Sequence, residues 1–153
     1  MKSEDPFGFR PQWDALLEVY KEFARICDKH GLRQWFAEGN MIGALRHKGF
    51  VPWDDDIDIS MRKEDLKRFL EVAPDELSPH LKLQTSETEK EWTRREYKVR
   101  DLNSFMLDVD DDNHCIYEKG LCVDIFPFIL YPAHLQKVAR KVARSLAVMD
   151  ARL

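Results

Sequence analysis

The sequence has no disulfide framework, no membrane-length apolar run and no excess of positive charge, and each lack removes a class of function. Its three cysteines, Cys27, Cys115 and Cys122, are odd in number and irregularly spaced. They form neither a set of bridges nor a Cys-x-x-Cys metal pattern, and they read as buried apolar thiols in a reducing compartment. No apolar stretch approaches the roughly 20 residues that cross a bilayer. Met1-Lys-Ser-Glu-Asp-Pro6 has no apolar run behind it, so no signal peptide is visible. A cytoplasmic protein is expected. Lys and Arg number 24 against 28 Asp and Glu, a net charge of −4. That argues against nucleic acid as the main partner, because phosphate-backbone binders are usually basic. His30, His80, His114 and His134 show no metal-ligand spacing, and no Ser-His-Asp or Cys-His arrangement can be read. There is no repeat, low-complexity tract or linker.

What is present fits one soluble domain. The chain has 153 residues, 44% hydrophobic and 34% charged, and a domain of that size buries roughly 68–70% of its unfolded surface. Trp13, Leu16, Leu17, Tyr20, Phe23, Ala24 and Cys27 recur at helical spacing, which predicts an amphipathic helix over 12–29 stopped by Gly31. A strand is expected over Gln34–Glu38, ending at Gly39. Asn40 then caps a short helix from Met41 to Lys48, which Gly49 stops. An acidic strand, Asp54–Ile59, follows, then a helix over 62–73 with Pro74 at its exit. Further strands are expected over Leu81–Thr85, Arg95–Arg100 and Leu121–Phe126, the last stopped by Pro127. After Pro132 a helix carries Leu135, Val138, Val142, Leu146 and Met149 on one stripe and Lys137, Arg140, Lys141 and Arg144 on the other. That basic face reads as the solvated side of a core helix, with peripheral membrane contact as its functional alternative. Asp108, Asp110 and Asp112 form a solvated turn, because a calcium loop would need glycine at Asn113 and glutamate at Lys119.

The chemistry concentrates in Trp53-Asp-Asp-Asp-Ile-Asp58. Aspartate is a poor strand former, yet Ile57 and Ile59 call for burial on one face, which gathers Asp54, Asp56 and Asp58 on the other. Same-face neighbours lie roughly 7 Å apart, so each carboxylate pair repels by roughly 2 kcal/mol at an effective dielectric near 20. A bound Mg²⁺ or Mn²⁺ would relieve that repulsion. In Cys122-Val-Asp-Ile-Phe126, Asp124 is alone among apolar residues and costly unless partnered. If the two acidic strands are neighbours, three carboxylates converge. Gly39-Asn40 ahead of a helix offers backbone amides to phosphate. Arg46 and Lys48 end that helix and either bind phosphate or complement its dipole, while Lys98 and Arg100 share a strand face as further candidates for phosphate.

The run Gly39-Asn-Met-Ile-Gly-Ala-Leu-Arg-His-Lys-Gly-Phe-Val-Pro-Trp-Asp-Asp-Asp-Ile-Asp58 resembles the LicD family signature, and Gly120-Leu-Cys-Val-Asp-Ile-Phe-Pro127 resembles that family's second motif. The match covers about residues 30–130. It is similar to the fukutin-type enzymes of the nucleotidyltransferase superfamily. The resemblance implies an α/β (α+β) fold with a small mixed sheet and packed helices. It also implies metal-dependent transfer of phosphocholine or alditol phosphate from a CDP-linked donor to a hydroxyl of a cell-surface glycan. On it, Asp56 and Asp58 stand at the Asp-x-Asp pair, Asp124 at the third carboxylate and Gly39-Asn40 at the superfamily's glycine turn. Where the family pattern has Gly-Thr-Leu-Leu-Gly, this chain has Gly39-Asn-Met-Ile-Gly43. Members commonly run longer, so the chain reads either as a short member or as a piece of one. Nucleotidyl transfer from an NTP and a non-catalytic nucleotide-binding remnant are the alternatives.

Overall fold

The computed structural model describes residues 5–89, 96–107, 116–128, 130, 132–138 and 140–141. The Asp108–Asp112 turn, His114, Cys115 and the expected helix beyond Lys141 lie outside these residues.

The first helix, α1 (Arg10–His30), buries Trp13, Leu16, Val19, Phe23, Ile26 and Cys27 along one stripe. The Asp5 carboxylate accepts hydrogen bonds from the Phe9 and Arg10 amides at 2.7 and 2.9 Å. At the other end Gly31 turns left-handed, φ 65°, as expected of a C-terminal glycine. Helix α3 (Lys63–Glu76) puts Glu64 and Asp65 in its first turn, where they complement the helix dipole. It runs through Pro74 instead of leaving at it. A proline this close to the end forfeits one backbone bond, and the last turn is still closed by Leu77 N–H on Ala73 O.

Five strands form a mixed sheet: β1 (Gln34–Phe36), β2 (Ile57–Arg62), β3 (Leu81–Gln84), β4 (Tyr97–Asp101) and β5 (Cys122–Phe128), in the order β1-β2-β5-β4-β3. Only β2 and β5 run parallel. Ile57, Ile59 and Met61 of β2, Val123 and Ile125 of β5, Val99 of β4 and Leu81 and Leu83 of β3 form one core with α1 and α3. Phe23 and Phe69 are fully buried where the two helices meet the sheet, their rings 4.8 Å apart. Truncating either to alanine would cost about 3–5 kcal/mol. Alternation sends Asp58, Ser60 and Arg62 of β2 to the other face.

Several expected boundaries move. The acidic strand begins at Ile57, so Asp54–Asp56 precede it. Strand β1 reaches only Phe36, opposite Ile59, and leaves those residues no strand to pair with among the described residues. Glu38 opens a helix, α2 (Glu38–Ile42), so Gly39 and Asn40 lie in its first turn instead of before it. A π-helical turn (Gly43–His47) continues α2, and Lys48, with φ 56°, ends it in place of Gly49. Gly43 makes the return possible, because a Cβ there would strike Gly49 O and Val51 N. Strand β5 passes through Pro127 to Phe128. Its register with β4 ends at Ile125, so the missing N–H of Pro127 falls where that side of the strand is an edge among the described residues. After Pro132 only a 3₁₀ turn (Ala133–Leu135) and helical residues 136–138 and 140–141 are described, and Leu135 and Val138 are exposed there.

Candidate active site

The register of β2, β5 and β4 sets Asp58 opposite Asp124 and Asp124 opposite Lys98. Neighbouring strands are about 4.8 Å apart, so these three side chains stand in one row across the sheet's second face. Lys98, 2% exposed, donates to Asp124 Oδ2 at 2.7 Å. Burial alone would lower the Lys98 pKa, but the Asp124 carboxylate that accepts its hydrogen bond holds it above the ordinary lysine value. The Cys122 thiol lies 3.2 Å from Asp124 Oδ1. Burial and the Asp124 charge push its pKa up, so it stays a thiol.

Just ahead of β2 the acidic segment is clamped through its backbone. Trp13 Nε1–H donates to Asp54 O at 2.6 Å, and Gln12 Nε2–H donates to Asp55 O at 2.6 Å. Asn40 Nδ2–H donates to Asp56 O at 2.9 Å, Asp58 N–H donates to Asn40 Oδ1, and Ala37 N–H donates to Asp58 O at 2.9 Å. The carboxyls have less relief: Asn40 Nδ2–H reaches Asp54 Oδ2 at 3.4 Å, and the Lys98 charge acts on Asp56. Burial, then the charges of Asp54, Asp124 and Asp55, raise Asp56 to about 6. Burial, then Asp56, Asp124, Asp54 and Glu38, raise Asp58 to about 7. Asp54 is raised by burial and by Asp55. Carboxyls raised by burial and by one another, clustered at one place, make this a candidate functional site.

The expected residues divide accordingly. Asp58 and Asp124 meet across adjoining strands, as neighbouring acidic strands required. Asp56 joins them electrostatically, while Asp54 belongs to the turn before the strand, its N–H donating to Val51 O at 3.0 Å. Lys98 points at Asp124. Arg100, 1% exposed, donates to Gln84 Oε1 at 2.6 Å and to Gly120 O at 2.7 Å, a tie inside the sheet. Arg46 and Lys48 are exposed on the π turn. Lys48 also lines a cavity of about 570 Å³ between α1 and that turn, with Trp13, Phe36, Phe50 and Ile57 among its walls. Among the described residues no three carboxylate, imidazole or thiol groups are already grouped so as to hold a metal ion.

Residues 31–144, which contain this whole constellation apart from the α1 clamps, match the family described as LicD/FKTN/FKRP, nucleotidyltransferase domain. The chain belongs to the LicD family. It is 30% identical over 142 residues to the lipopolysaccharide cholinephosphotransferase LicD of Haemophilus influenzae, an alignment covering 87% of this chain and 51% of that protein. It is 35% identical over 52 residues to the ribitol 5-phosphate transferase FKRP of Homo sapiens, covering 34% of this chain and 10% of the relative. The chain thus spans about half the length of the bacterial LicD protein it matches. Among the described residues of this LicD-family chain no helix is long and apolar enough to cross a membrane.

Sequence reasoning missed three residues at the candidate site, Gln12, Trp13 and Glu38, and the pairing of Lys98 with Asp124. The helix that brings Gln12 and Trp13 was legible, but their hold on the Asp54 and Asp55 carbonyls was not. Glu38 was assigned to a strand, whereas it lies close enough to Asp58 to raise its pKa. The Lys98–Asp124 pair had a readable signal: an aspartate alone in an apolar strand needs a cation, and the strand beside it offers Lys98 and Arg100 on one face.

Proposed function

We propose that this domain transfers a phosphocholine or alditol-phosphate group from a CDP-linked donor to a hydroxyl of a cell-surface glycan, with Mg²⁺ or Mn²⁺ at Asp56 and Asp58. The observation that carries the proposal is the pairing of Asp58 with Asp124 beside Asp56 at the mouth of the β2/β5 pair, in a LicD-family chain. The donor set supports the metal. Mg²⁺ takes only one or two protein carboxylates and completes its shell with water and substrate phosphate. Asp56 and Asp58 are oxygen ligands whose pKa values are raised by burial and by the neighbouring carboxylates, with Lys98 offsetting only part of that charge at Asp56. A bound ion would neutralise charge on the donor's phosphates.

The residues of the chain supply the rest. The clamps from Gln12, Trp13 and Asn40 hold the acidic segment by its backbone, so its carboxyls need no reorganisation when a donor arrives. Lys98 fixes Asp124 in one orientation through Oδ2. Asp124 Oδ1 then accepts the proton of the acceptor hydroxyl as its oxygen bonds to the distal phosphorus. The bond from that phosphorus to the bridging oxygen breaks, and CMP leaves. Arg46 and Lys48 face solvent, where the donor's nucleotide half would find them.

The test incubates the protein with Mg²⁺ or Mn²⁺, a glycan acceptor panel and either CDP-choline, CDP-ribitol or an NTP, and separates the products. CMP release with transfer to the glycan is expected. Pyrophosphate from the NTP without CMP from either CDP donor would replace the proposal with nucleotidyl transfer. Silence with both donor classes from a folded protein would replace it with a binding role.

A further inference from the structure

Asn40 is 7% exposed in the first turn of α2, and its side-chain amide is committed to the acidic segment. Nδ2 donates to Asp56 O at 2.9 Å and faces Asp54 Oδ2 at 3.4 Å, while Oδ1 accepts from the Asp58 amide. These partners flank Ile57, which is 1% exposed in the core. One amide thus joins the residue before and the residue after a buried anchor. A slip of one residue would exchange the faces of Asp56, Ile57 and Asp58, and Asn40 blocks it by pairing with both of their backbones.

Two neighbours show that this contact is built. Gly39 packs against the same segment so closely that a Cβ on it would lie 2.6 Å from Asp54 Oδ2. Glu38 holds φ 41°, a left-handed conformation in a residue with a side chain. Strain of that kind persists only where surrounding contacts over-determine the backbone. Glu38, Gly39 and Asn40 therefore bring the first turn of α2 onto the acidic segment as one piece.

We infer that Asn40 is a positioning residue that sets Asp56 and Asp58 in register with Asp124, and not a contact to the donor's phosphates. The inference rests on the reading that those carboxylates serve the reaction. Asparagine suits the role because one planar group carries both a donor and an acceptor. A serine hydroxyl would sit one bond further back and could not span Asp56 O and Asp58 N–H together.

The test compares wild type with Asn40→Ala, below the melting temperature of both. Amide hydrogen exchange is followed by NMR, Mn²⁺ affinity by calorimetry without nucleotide, and CMP affinity at saturating Mn²⁺. The Asp58 amide is expected to exchange about tenfold faster, the effect of losing one buried hydrogen bond. Mn²⁺ affinity is expected to fall about 10–100-fold, as when a partner that orients a ligand is removed. CMP affinity at saturating Mn²⁺ should stay unchanged. Unchanged exchange at Asp58 overturns the inference, and so does a loss of CMP affinity with Mn²⁺ binding intact. A wild-type protein that binds no Mn²⁺ would sink the metal part of the proposed reaction, while the exchange at Asp58 still decides whether Asn40 is the brace. If Asn40→Ala does not fold, Asn40→Ser carries the same readouts.

Discussion

Asp58→Asn should make the metal-free protein more stable while ending its response to metal. The substitution keeps the side chain's shape, and the bonds of residue 58 to Asn40 and Ala37 run through its backbone, so the change is one of charge. The folded state holds the Asp58 carboxyl at about 7, against an ordinary 3.8. A raised carboxyl binds its proton more tightly in the native than in the unfolded state. Its cost is therefore absent below about pH 4, grows as pH rises to about 7, and is constant above. At 1.36 kcal/mol per pH unit that interval would amount to about 4 kcal/mol, but the group is partly open to solvent, and screening brings the figure to roughly 1–2 kcal/mol. For a chain of this size each kcal/mol moves the melting temperature by about 2–4 °C. Asp58→Asn in chelator at pH 8 is expected to melt about 2–8 °C above wild type, and at pH 4 to melt with it. Adding Mn²⁺ at pH 8 should raise the wild-type melting point and leave the variant's unchanged. Thermal melts followed by circular dichroism give all three comparisons. A variant that melts below wild type at pH 8 in chelator would refute the electrostatic account, as would a gain that persists at pH 4.

Asp124→Asn carries the opposite sign: it breaks a buried pair with Lys98 and should lower stability by about 3 kcal/mol in urea unfolding, pH 8. Equal or greater stability would remove that pair from the account of the fold. Asp55 is exposed, and Asp55→Asn should leave CMP release within about twofold, the scale of ordinary surface changes; loss of all release would mean that the acidic segment presents a different set of carboxylates. Gly43→Ala drives a methyl into the Gly49 carbonyl and the Val51 amide and should destabilise by about 2 kcal/mol, and a neutral result in the same unfolding assay would show that the π turn relaxes freely.

Most of the architecture was legible because hydrophobic period carries it. The stripe Trp13–Cys27 marked α1, and alternation marked β3 and β4. The row of Asp58 and Asp124 was legible because an aspartate inside an apolar strand asks for a reason. What failed was local. Period 2 assigned Asp54 to a strand that has no neighbour to pair with there among the described residues, and the turn signal Gly39-Asn40 was placed one turn too late because Glu38 adopts a backbone conformation that composition does not forecast. Arg100 looked like a phosphate ligand because its charge was visible and its partners, Gln84 and the Gly120 carbonyl, were not. Side-chain hydrogen bonds between distant segments leave no periodic trace, so Asn40's hold on Asp56 and Asp58 is visible only in the fold.

Of the five strands described, the one that completes the candidate site comes last in sequence and sits in the middle of the sheet. Strands β1 and β2 can pair as soon as both are synthesised, and so can β3 and β4, but no backbone ladder joins the two pairs until Cys122–Phe128 lies between them. Until then β2 and β4 each present a bare edge beside apolar side chains, the template for wrong partners. The joining contacts are far apart in sequence, which makes this a slow step of folding. Asp58 meets Asp124 only at that moment. A chain ending before Cys122 would therefore lack Asp124 and the strand that joins the two pairs, and would leave both edges open to wrong partners.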